Sequence, residues 1–132
     1  MLLLSLVKFW AAVSTTALVL CAETSYDKQD TWNVMQVIRN RTEAPQRFRR
    51  LRRAFPSSYI GVVTQKRQFA RPAQCHHTWI KAHHFEIALQ GILGLRLRAN
   101  KHVKNPEVLF FLNYKAYKKH RTRWRKTRLV VH

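Results

Sequence analysis

The sequence predicts a mainly α protein: an N-terminal apolar helix, several short-to-medium helices and extended basic segments, ordered only within an assembly. Three observations carry this expectation. Only 3 Gly and 4 Pro interrupt 132 residues, too few for a turn-rich β fold. Residues 2–20, LLLSLVKFWAAVSTTALVL, are apolar apart from Lys8 and four hydroxyl residues. Later stretches place apolar residues three and four apart, the repeat of one helix face.

Residues 1–22 form the apolar helix, and three readings of it compete. As a secretory signal it lacks a basic n-region, Lys8 interrupts the run, and a cut after Ala22 would put Leu20 at a position that prefers small residues. A cut after Cys21 puts Val19 there, which is tolerable. The second reading is a membrane anchor, since about 20 apolar residues span a bilayer and Lys8 could snorkel from near one end. The third is a helix buried in protein or RNA, with Ser5, Lys8, Ala12 and Thr15/Thr16 as a thin polar stripe. The anchor and the buried helix stand level.

Residues 23–43 predict a short amphipathic helix over about 27–40. Asp27 and Asp30 lie at its start and Arg39 and Arg41 at its end, matching the helix dipole. Residues 44–132 form a basic helical region. Pro45 suits the first turn of a new helix and Pro56 ends it. Within QRFRRLRRAF, Phe48, Leu51 and Phe55 share a face, and Arg47, Arg49, Arg50, Arg52 and Arg53 cover the rest with no acid in reach. Tyr59 to Thr64, rich in β-branched residues, reads as a strand or extended segment. Residues 65–77 read as a basic loop. A helix follows from Thr78 to about Ala99, where Gly91 and Gly94 permit close packing. Asn105-Pro106-Glu107 is a helix start, with a helix expected over about 106–126. Leu129-Val130-Val131 reads as an extended tail.

Charge points to the partner. The chain has 25 Lys+Arg against 6 Asp+Glu, a formal net charge of +19. All of this excess lies in residues 44–132, where Glu86 and Glu107 are the acids. Such a chain repels itself unless a polyanion neutralises it, and neutralisation gains from counterion release. Yet 46% of residues are hydrophobic and 11% aromatic, too many for a disordered tail. The cations expected on phosphates are the five arginines of 47–53, then Lys66, Arg67, Arg71, Arg96, Arg98, Lys101 and Lys104. The C-terminal stretch adds Lys115, Lys118, Lys119, Arg121, Arg123, Arg125, Lys126 and Arg128, with Trp124 able to stack on an exposed base.

Catalytic patterns are missing from the sequence. There is no P-loop, GxGxxG or GxSxG, and acids are scarce where the histidines lie, so no enzyme and no cofactor is expected. Cys75, His76, His77, His83 and His84 are metal-ligand types, but their spacing matches no usual paired-ligand pattern and no metal is expected. Two cysteines are too few for a disulfide framework. A reducing compartment is the default reading, with a single bridge as the alternative.

Together these features predict a structural, rRNA-binding protein of a ribosome, most specifically a mitochondrial one. It would sit in the matrix, in contact with neighbouring subunits and with the inner membrane through residues 2–20. The alternative is a single-pass accessory subunit of an inner-membrane respiratory complex with a basic matrix-side region. A secreted cationic protein is a third, weaker class.

Overall fold

Helix α1 (Leu2–Thr24) turns back through Ser25–Asp27 into α2 (Lys28–Arg47) in a computed structural model that describes residues 2–52, 56–65, 68–112 and 129–131. The turn is chemically specified. Ser25 takes a left-handed φ of 51° and its N–H closes onto Cys21 O at 2.9 Å, which ends α1. Asp27 then caps α2 by accepting from Asp30 N at 2.8 Å. Thr24 and Thr31 exchange a buried hydroxyl bond of 2.8 Å across the hairpin.

Helix α4 (Ala82–Ile92) starts beside that turn and packs along α1 and α2. A short α3 (Tyr59–Val63) closes the other side of the pair. The core is shared by Val13, Ala17 and Leu20 of α1, Trp32, Met35 and Ile38 of α2, Val62 and Val63 of α3, and Ile87 and Ala88 of α4. Gly91 admits Met35 into the α2–α4 contact: a Cβ there would lie 2.8 Å from Met35 Cγ. Three-residue strands β1 (Phe110–Leu112) and β2 (Leu129–Val131) pair in parallel. The mainly α expectation therefore holds, and the N-terminal apolar helix is present.

Several local expectations are corrected. Pro45 does not open a new helix: α2 runs through it to Arg47, and Phe48 N resumes hydrogen bonding onto Ala44 O. Residues 49–51 are only a 3-10 turn. Because α2 continues, Glu43 comes one turn before Arg47 and pairs with it at 2.7 Å, so the arginine run does have an acid in reach. Tyr59–Val63 is helical rather than extended. Ser58 caps it by accepting from Gly61 N, and burial of Val62 and Val63 against α1 and α2 overrides their β preference. The helix expected to reach Ala99 stops at Ile92. Gly94 adopts φ 78°, and Leu95 N bonds back to Gln90 O, a Schellman ending. Asn105 does not cap a long helix: its side chain accepts from Glu107 N in a turn that leads into β1. The rest of the helix expected over 106–126 lies outside the described residues.

The default expectation of two free thiols is also overturned. Cys21 and Cys75 form a disulfide with Cα atoms 5.3 Å apart, and no free cysteine remains. They meet because α1 ends beside the 3-10 turn Pro72–Gln74, which packs on it. A cut after Cys21 would remove the bridge together with Val13, Ala17 and Leu20 of the core.

Candidate nucleic-acid interface

Along α2, Gln29, Asn33, Gln36 and Asn40 recur at four, three and four residues, so their amides share a face. They hold a backbone strap, residues 95–108, that has little regular structure of its own. Gln29 Nε2 donates to Arg98 O at 3.0 Å, and Asn33 Oδ1 accepts from Asn100 N at 2.9 Å. Asn40 Nδ2 reaches three carbonyls, those of Val103, Asn105 and Val108, at 3.0, 3.1 and 3.0 Å. Its Oδ1 accepts from Gln36 Nε2 at 3.0 Å, which fixes the orientation of the amide. Arg39 supplies the upper anchor by donating to Gln90 O, Gly91 O and Leu95 O at the carbonyl end of α4, where a cation also suits the dipole. Tyr59 Oη adds a fourth bond there, to Gly91 O at 3.0 Å.

Pinning the strap decides where its cations point. Leu97 and Val103 are buried under it, so Arg96 and Arg98 alternate outward in the manner of an extended chain. Arg96, Arg98 and Lys104 then border one open cavity of about 630 Å³, with Gln90, Leu97 and Ala99 completing its lining. Lys101, exposed, lies on the same 3-10 turn as Lys104. A shallow groove bordered by cations on a rigid backbone suits phosphate binding: the charges are already placed and need little ordering.

The other expected contact residues are divided. Arg47, Arg49, Arg50 and Arg52 are exposed at the C-terminal end of α2 and beyond it and do not line the groove, and Arg71 is exposed beside the disulfide. Arg53, Lys66, Arg67, Lys115, Lys118, Lys119, Arg121, Arg123, Trp124, Arg125, Lys126 and Arg128 lie outside the described residues. Cys75 and the four histidines do not form a ligand set, because Cys75 is in the bridge and His84 is used structurally. Among the described residues no group of three metal-ligand side chains assembles.

Two charged or titratable residues in the interior were not legible in the sequence. Arg41 is only 1% exposed; its guanidinium donates to Gln65 Oε1 at 2.7 Å and lies 5.1 Å from the Phe69 ring centre. Burial lowers its pKa to about 10, so it stays charged and fastens Gln65 and Phe69 to α2. His84 is fully buried, and its two nitrogens join distant segments. Nδ1 accepts from Lys81 N at 2.9 Å, and Nε2 donates to Ser25 O at 2.5 Å, at the α1–α2 turn. The accepting Nδ1 sets the neutral Nε2–H tautomer.

Burial pushes the His84 pKa below its ordinary value, against the pull of the Ser25 carbonyl. The unfolded chain therefore binds this proton more readily. Stability is full above the unfolded value of about 6.5 and falls as pH drops below it. Burial lowers His83 in the same direction. Urea midpoints at pH 7.5 and 5.5 should show the loss in the natural chain and a smaller loss in His84→Gln. An equal loss in both would remove His84 as the cause.

No family model matches this chain. No curated protein and no solved structure matches it either. The functional reading therefore rests on the groove and on the charge distribution.

Proposed function

We propose that this protein is a structural, non-enzymatic RNA-binding component of a large ribonucleoprotein, in its most specific form a mitochondrial ribosome. The observation that carries the reading is the strap: Arg96, Arg98, Lys101 and Lys104 are held on a backbone anchored by α2, and three of them border one groove. Paired or buried structural cations would not need that arrangement. Phosphates spaced along RNA would neutralise it and release counterions.

The packing supports this reading over a single-pass membrane subunit. A spanning helix needs about 20 residues free to meet lipid, whereas α1 from Val13 onward is largely committed to the core and to the bridge. Assignment to mitochondria rests on the basic, hydrophobic-headed composition alone. The disulfide favours a compartment less reducing than the matrix.

The test is salt dependence. Replacing Arg96, Arg98, Lys101 and Lys104 with Gln should weaken binding to folded RNA and lower the slope of log K against log[salt] by about 3. An unchanged slope would assign phosphate contact elsewhere. The particle-level counterpart is co-migration on a sucrose gradient, lost after nuclease treatment.

A further inference from the structure

Residues 71–80 lie against the body without joining its core. From Gln68 to Ala82 no residue is buried. The hydrogen bonds of the segment close within it: Gln74 N donates to Arg71 O, Cys75 N to Pro72 O and Trp79 N to His76 O. The rings of His76, His77 and Trp79 pack on one another, with centroids 4.4 Å apart for the histidine pair and 5.4 Å apart for His76 and Trp79. The turn Pro72–Gln74 rests on α1, and the bond that holds it there is the Cys21–Cys75 bridge.

Just outside the segment the chain is fixed on both sides. Ala70 N donates to Glu23 Oε1 of α1, and Phe69 packs against the core. Lys81 N donates to Nδ1 of the buried His84 at 2.9 Å. Opening between these two anchors leaves α1, α2 and α4 packed. A stretch with few buried contacts and exposed, local hydrogen bonds is the kind that opens on its own, and here a covalent bond prevents it. The two sulfurs differ in access: Cys21 is fully buried and Cys75 is partly exposed. Exchange begins at the sulfur an attacking thiolate can reach.

We propose that the Cys21–Cys75 bridge is a redox latch: reduction by a dithiol frees residues 71–80 as a loop tethered at Ala70 and Lys81, while the helical core stays folded. One thiolate of the dithiol attacks Cys75 Sγ. A mixed disulfide forms there, the Cys21–Cys75 bond breaks, and Cys21 leaves as a thiolate and takes a proton. The second thiolate attacks the dithiol's own sulfur in the mixed disulfide. Cys75 then leaves and is protonated, and the dithiol ends as a disulfide, so two electrons have passed to the bridge. An oxidising compartment keeps the latch shut. The latch uses no groove residue, so its failure would leave the RNA reading untouched.

The test is chymotrypsin cleavage of the full chain, oxidised or reduced with dithiothreitol, well below the melting of either form. Cleavage after Trp79 should quicken at least about tenfold on reduction, with helix content unchanged by circular dichroism. Oxidised glutathione should restore resistance, and Cys75→Ser should be cut at the reduced rate with or without reductant. In a trapped reaction with the monothiol glutathione, the mixed disulfide should map to Cys75. Equal cleavage in both redox states would mean that the segment holds without the bridge and would overturn the proposal. Loss of helix on reduction would make the bridge a staple of the whole fold and overturn it too. Glutathione found on Cys21 would overturn the order of attack.

Discussion

Replacing Cys75 with serine is expected to lower stability by about 4 kcal/mol, through the loop of more than 50 residues that the Cys21–Cys75 bridge closes in the unfolded chain. Cys75 is the better target because it is partly exposed, while Cys21 is fully buried and a hydroxyl there would add a desolvation penalty. For a chain of this size the loss corresponds to a fall in melting temperature of roughly 15 °C. Reduction of the natural chain should reproduce it, and reductant should leave the variant unmoved. The effect is not confined to the bridge, because the linked end of α1 carries Val19, Leu20 and Thr24 and borders the turn held by His84. If reduced and oxidised protein melt together, the bridge contributes nothing to stability.

Asn40→Asp is expected to be nearly as damaging, at about 3–5 kcal/mol, although it changes only one amide to a carboxylate. Asn40 is 4% exposed, and its Nδ2 faces the carbonyls of Val103, Asn105 and Val108. An ionised aspartate would present an acceptor to three acceptors and bury a charge among them. The pH response separates this cause from simple loss of packing. The buried acid's pKa would be raised above its unfolded value, so the variant should regain stability as pH falls through that raised pKa, when a protonated oxygen can donate again. The natural chain should not gain there, since His84 works in the opposite sense. RNA affinity should fall with stability, because Arg98, Lys101 and Lys104 keep their positions only while the strap is anchored. A variant as stable as the natural chain at neutral pH would exclude Asn40 as the anchor.

Some of this was legible in the residues alone. The apolar run 2–20, the acids at the start of α2 and the few glycines sufficed for a mainly α chain with an N-terminal helix. Arg96, Arg98, Lys101 and Lys104 stood out as candidate phosphate contacts by charge. The strap was not legible, because a helical repeat through Thr78–Ala99 looks uninterrupted until Gly94 takes its left-handed φ. The amide spacing Gln29, Asn33, Gln36, Asn40 was present in the sequence. It reads as an ordinary polar helix face until a second segment brings carbonyls to meet it. The same holds for α3, where β-branched residues form a helix because burying Val62 and Val63 against α1 and α2 outweighs their β preference.

The sequence by itself determined composition-level properties: helical class, the apolar head, and a +19 charge confined to residues 44–132. These follow from residue type and local spacing, which act over a few residues. Only the tertiary structure decided which half of α1 is buried, that Cys21 meets Cys75, and that His84 closes onto Ser25. Each depends on contacts between residues more than 50 positions apart or on which face of a helix another element covers. Local propensity carries no information about such contacts, because they form only when the whole core packs.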